Sequence, residues 1–189
     1  GSEMCIRDRA GTTDSTVART LFTTLGIEDT PENREKFYDA YVSRLRDSFA
    51  KPRGERLPGV RELLAHLRSE TDHVLGLLTG NVGTGARIKL EHYEIAEFFD
   101  FRASAFGNDR ETRNELGPLA LERTAQTLGR EFKPAETIII GDTPRDIACA
   151  RAFRARCIAV ATGSFSREEL TEHEPDGILD DLTGIPAFV

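Results

Sequence analysis

The chain has 189 residues, 39% of them hydrophobic and 30% charged, and a net charge of −7 with an isoelectric point near 5.2, a composition that suits a water-soluble unit able to bury one sizeable core. The acidic balance argues against nucleic acid or an anionic membrane as partner. No run approaches the roughly 18 consecutive apolar residues that cross a bilayer, and the first residues lack a secretory signal's apolar stretch, so a cytoplasmic location is expected.

Taken in chain order, residues 1–9 (GSEMCIRDR) show neither amphipathic period nor turn chemistry. Met-Cys-Ile-Arg-Asp resembles the translation of a transposase adapter used in sequencing libraries, so this segment is set aside as non-native. Val17, Leu21 and Leu25 recur at helical spacing before Gly26, which predicts a first helix. Pro31 opens a second, carried by Phe37, Tyr41, Leu45 and Phe49, and the polar residues 51–56 then break the pattern as a hinge. Beyond Pro58 and Gly59, a helix with Val60, Leu63, Leu64 and Leu67 leads into an apolar strand at residues 74–78. A helix around residues 86–93, a short strand near 101–106 and a helix from Leu116 to Leu128 follow. The β-branched run at residues 137–140 predicts a strand buried on both faces, then a helix over 144–153 and a strand over 157–161. Strands alternating with helices imply an α/β fold with a doubly wound parallel sheet. Cys5, Cys149 and Cys157 share no metal-ligand spacing; reduced thiols are expected rather than a disulfide framework or zinc site.

Three segments carry chemistry. In IIIGDTPRD a buried strand runs into Gly141, then Asp142, then Pro144 at a helix start, then Asp146. Both carboxylates can face the crevice at the carboxyl end of a parallel sheet, and two hard oxygen ligands converging there suit Mg2+. The alternative is that Asp142 merely caps the helix and Asp146 is solvated. In LLTGN the Thr79 hydroxyl and the backbone N–H groups freed by Gly80 and followed by Asn81 can donate to phosphoryl oxygens, although a threonine before a Gly-Asn turn is also ordinary turn chemistry. A cation is needed beside them: Arg113 first, then Arg110, then Lys89.

Thr79 in LLTGN, the basic residue ahead of the GPLALERT helix and the GDTPRD run resemble, in order and spacing, the second, third and fourth motifs of haloacid-dehalogenase-like (HAD-like) hydrolases, particularly the phosphoglycolate-phosphatase-like branch. The resemblance covers residues 10–189. It implies a Rossmannoid core over residues 57–189 with the remnant of a small helical cap over 10–56. It also implies hydrolysis of a small phosphomonoester, a small phosphorylated metabolite, through an aspartyl-phosphate with Mg2+. Thr79 would contact phosphate, with Gly80, Asn81 and the Gly11–Thr12–Thr13–Asp14 loop toward the substrate; Asp142 and Asp146 would hold the metal, and Arg113 falls nearest a position that is usually lysine.

The family's first motif, an apolar strand ending in Asp-x-Asp-Gly-Thr, is absent from the sequence. Asp8, Arg9, Ala10, Gly11 and Thr12 align with it only if Ala10 replaces the second aspartate. The chain is therefore expected to be truncated and inactive, with a gap in mid-sheet that favours loose packing. A 2-haloacid dehalogenase, which needs no Mg2+, and a non-catalytic pseudoenzyme or phospho-receiver domain are the alternatives. A monomer or weak homodimer is expected.

Overall fold

The computed structural model describes residues 10–49, 56–70 and 72–183. The adapter-like residues 1–9, Asp8 among them, and most of the expected hinge lie outside that set.

Two helices come first, α1 (Asp14–Leu25) and α2 (Pro31–Phe49). The Thr13 hydroxyl accepts the Thr16 N–H at the start of α1, and Gly26, in the left-handed conformation, ends it. Phe22 meets Phe37 edge to face at 5.9 Å between ring centroids. Of α2 only Val42 is buried. The amphipathic α3 (Val60–Ser69) sinks Leu63 and Leu67 against Leu75, Leu179 and Leu182, and Leu64 against Ile95 and Phe98.

Beyond it lie α4 (Gly83–His92), α5 (Leu116–Leu128), β1 (Ile138–Gly141), α6 (Pro144–Ala152), β2 (Arg156–Val160), α7 (Arg167–Thr171) and β3 (Gly177–Leu179). The three strands form a parallel sheet in the order β1-β2-β3, with Ile139 opposite Cys157 and Ala159 opposite Ile178. Four of the five residues of β2 are buried, the signature of a parallel strand covered on both faces. Its side chains join Ile139, Ile147, Phe153 and Leu170 in the main core. Cys149 and Cys157 are free thiols in that core, and burial pushes their pKa values up to about 11 and about 12, which keeps them protonated and unreactive.

The structure departs from the sequence expectation at two places. Residues 74–78 run extended, but their pairing with residues 101–106 shrinks to one parallel bridge between Leu78 and Ala105. The cause is local: a 3-10 turn, Phe101–Ala103, interrupts the partner, and the Ser104 hydroxyl takes the place of a backbone acceptor for the Leu77 N–H at 2.9 Å. The other departure is the α7–β3 unit, opened by a Ser166–Glu169 capping box and too short to declare itself by periodicity.

Gly107 ties the loop ends together. Its N–H donates to the Asn81 carbonyl at 2.8 Å, its own carbonyl accepts from the Ser15 N–H at 3.1 Å, and the Asp14 N–H donates to the Gly80 carbonyl at 2.7 Å. A Cβ on Gly107 would collide with that Gly80 carbonyl and come within 2.9 Å of the Asp14 nitrogen. Gly107→Ala should destabilise the protein by about 2–3 kcal/mol in urea unfolding. Gly177→Ala, whose nearest new neighbour is Ile158 at 3.8 Å, should change it little.

Candidate active site

A cleft of about 420 Å3 opens where β1 and the extended residues 74–78 end side by side. Thr79, Gly80 and Asn81 line one wall, Asp142, Thr143 and Asp146 the opposite wall, and Gly11, Thr12, Asp14, Val17 and Arg113 close it between them. Six of the sequence-predicted site residues named with a role, together with Arg113, therefore meet in one hollow. The Gly11–Thr12 segment enters the cleft itself.

The GDTPRD wall is built by capping. Thr143, not Asp142, is the N-cap of α6: its hydroxyl accepts from the Asp146 N–H, and the Asp146 carboxylate in return accepts from the Thr143 N–H at 3.0 Å and its hydroxyl at 2.7 Å. Asp146 is only 4% exposed, so it is not solvated. Gly141 makes room for it, since a Cβ there would strike the Asp146 carboxylate. Asp142, by contrast, leaves its carboxylate without a side-chain partner among the described residues. Burial raises its pKa, and the neighbouring Asp146 raises it further, against a weaker opposing pull from Arg113.

Of the three candidate cations, Arg113 is the one in the cleft. Its guanidinium donates to the Gly11 carbonyl at 3.1 Å and the Leu78 carbonyl at 3.3 Å, and forms an ion pair with Asp146. Among the described residues its buried Nε–H has no hydrogen-bond partner. Arg110 is exposed and bonds the Asp109 carbonyl at 2.9 Å. Lys89 stands behind the wall, its Nζ donating to Asn81 Oδ1 at 2.5 Å. Asp14 uses its carboxylate to accept the Val82 N–H at 2.8 Å, which serves the start of α4. Burial raises the Asp14 pKa, opposed by that hydrogen bond and by Lys89.

Sequence reasoning missed two residues. Arg145 donates to the Thr12 hydroxyl and, at 3.3 Å, to the Ala10 carbonyl; its place inside GDTPRD was the available signal. Glu111 has none. Its carbonyl accepts from the Thr13 and Thr16 hydroxyls at 2.6 and 3.0 Å, while its carboxylate pairs with Arg19 of α1 and, at 2.7 Å, with Arg34 of α2. It borders a second hollow of about 450 Å3, which shares Gly11, Thr12, Val17 and Arg113 with the first.

Two measurements check these assignments. The side chains of Arg113 and Asp146 are 13% and 6% exposed, so Arg113→Met should strand a buried carboxylate and cost about 3–5 kcal/mol in urea unfolding at neutral pH. For Asp142, a raised folded pKa favours folding below the unfolded value and counts against it as pH rises through the folded one. Asp142→Asn should therefore raise the metal-free melting temperature at pH 7, and the gain should vanish near pH 3, where both states are protonated.

Comparison with known proteins agrees with this architecture. A family model described as HAD-hydrolase-like matches residues 114–185. The chain is 26% identical over 186 residues to a phosphoglycolate phosphatase of Vibrio vulnificus, covering 96% of this chain and 78% of that protein. It is 30% identical over 132 residues to the probable phosphatase IndB of Dickeya dadantii, covering 68% and 53%. Among solved structures, CbbY of Rhodobacter sphaeroides, a mutant in complex with xylulose-(1,5)-bisphosphate, shares the fold with a TM-score of 0.72 at 18% identity, covering 96% and 79%. With its α/β core and parallel sheet the chain shares the fold of that structure, its C-terminal half matches the HAD-like hydrolase model, and its sequence is similar to phosphatases, phosphoglycolate phosphatases among them.

Proposed function

We propose that the cleft is the phosphate-receiving half of a Mg2+-dependent phosphomonoester hydrolase acting on a small phosphorylated metabolite in the cytoplasm, and that this chain lacks the attacking carboxylate. The observation that carries the reading is the convergence of the Thr79 hydroxyl, the Arg113 guanidinium and the Asp142 and Asp146 carboxylates on one 420 Å3 hollow. That set combines neutral donors, one fixed cation and a crowded carboxylate pair, which is what a phosphoryl group sharing a divalent ion needs.

The residues present fit the ion. Asp142 has a carboxylate with no side-chain partner among the described residues, its pKa raised first by burial and then by the charge of Asp146, and Asp146 offers the oxygen it now shares with Arg113. Bound there, Mg2+ would neutralise phosphoryl charge. Thr79 and the backbone N–H groups after it would orient the phosphoryl oxygens, and Arg113 would offset charge that grows as the ester bond lengthens. Phosphoryl transfer to an aspartate still needs that aspartate, and positioning alone does not replace it. The sequence holds no Asp-x-Asp-Gly-Thr pattern, and residues 8–12 fit one only if Ala10 replaces the second aspartate.

The purified chain should accordingly show no turnover of p-nitrophenyl phosphate above buffer, and it should bind inorganic phosphate in calorimetry only with Mg2+ present, binding that Asp142→Asn abolishes. Turnover lost on Asp8→Ala would overturn the inactivity. A chimera whose residues 1–10 are replaced by an apolar strand ending in Asp-x-Asp, running on into Gly11 and Thr12, should hydrolyse the ester with Mg2+. Metal-independent phosphate binding, or a well-folded chimera without turnover, would sink the hydrolase reading.

A further inference from the structure

Lys89 is half-buried, at a cost that neither the cleft nor an ion pair among the described residues explains. Two turns into α4, it does not line the cleft; burial lowers its pKa, and the Asp14 carboxylate opposes that shift. Its Nζ reaches back to Asn81 Oδ1 at 2.5 Å, and Asn81 Nδ2 donates to Thr79 Oγ1 at 2.9 Å. The Asn81 backbone N–H donates to the same hydroxyl oxygen at 3.2 Å.

A threonine hydroxyl has two acceptor sites and one proton. With both acceptor sites of Thr79 taken by Asn81, the proton has only the cleft to turn to. The amide of Asn81 could face the other way, its oxygen toward Thr79, and would then draw the hydroxyl proton out of the cleft. An ammonium has donors only, so Lys89 can be met by Oδ1 alone and forbids the flip.

We propose that Lys89 is a positioning residue: acting through Asn81, it holds the Thr79 hydroxyl as an obligate hydrogen-bond donor to an anion in the cleft. This inference rests on the phosphate-receiving function proposed above. The direction of donation runs Nζ to Oδ1, Nδ2 to Oγ1, and Oγ1 to a phosphoryl oxygen. Reversal at any link leaves a donor facing a donor or an acceptor facing an acceptor, each an unmade hydrogen bond in a part-buried place.

The test is calorimetric binding of inorganic phosphate with Mg2+ to the 189-residue chain, read together with the Asn81 side-chain amide signals in 15N-resolved spectra. Lys89→Met should weaken binding about tenfold, the worth of one part-buried hydrogen bond, and shift the Asn81 amide signals. Lys89→Arg, also donor-only, should restore both. Thr79→Val should weaken binding to the same degree, and adding Lys89→Met to it should weaken binding no further, whereas a merely structural role would give additive losses and no rescue. Should Lys89→Met not fold, Asn81→Asp keeps the volume but accepts the Thr79 proton, and should lose phosphate likewise. Wild-type protein that ignores phosphate overturns the functional reading. Wild-type protein that binds, with Lys89→Met binding equally well or additive losses in the double variant, overturns the role of Lys89 alone.

Discussion

The guanidinium of Arg113 is the knot of this molecule. It draws together the Gly11 carbonyl, the Leu78 carbonyl and the Asp146 carboxylate, three points that are remote in sequence. A buried ion pair of this kind adds little net stability over an apolar contact, but losing one partner leaves the other charge uncompensated, so the geometry is enforced by the penalty for breaking it. Because Asp146 also closes the capping box with Thr143, the orientation of α6 and the floor of the cleft are set by the same carboxylate. The direction of Asp142 follows, since it is the residue between the end of β1 and that cap.

The cleft is electrostatically unfinished. Two carboxylates stand close enough for Asp146 to raise the pKa of Asp142, and the Arg113 Nε–H has no acceptor among the described residues. An excess of negative charge on one wall and a spare donor beside it call for opposite things, a cation and an oxygen. A divalent ion carrying an oxyanion supplies both at once.

The sequence made the α/β order legible wherever apolar period and length were strong: α1, α3, α5 and the β1–α6–β2 unit stand where Val17, Leu63, Leu116 and Ile139 imply. It could not disclose that one rung of the pairing of residues 74–78 is made by a serine side chain, because Ser104 Oγ acts as a stand-in for a backbone acceptor, and hydropathy carries no trace of that. It ranked Arg113 first among the three cations but could not fix where each one stands. Arg110, Arg113 and Lys89 differ in exposure and partner, not in residue chemistry, and only the fold assigns one to the cleft, one to the surface and one behind Asn81. The Thr143 cap was concealed by its neighbour, since either Asp142 or Thr143 could have started α6.

The latch on Glu111 has a different character from the rest. Its partners Arg19 and Arg34 come from the two N-terminal helices, and its own carbonyl holds the first turn of α1. Glu111 is 38% exposed and Arg19 52%, so mobile ions compete for both, while the Thr13 hydroxyl bond and the Phe22–Phe37 contact are indifferent to them. Ionic strength thus acts on the attachment of the helical pair, and the α1 wall of the second hollow is a place that the salt of the surroundings can loosen.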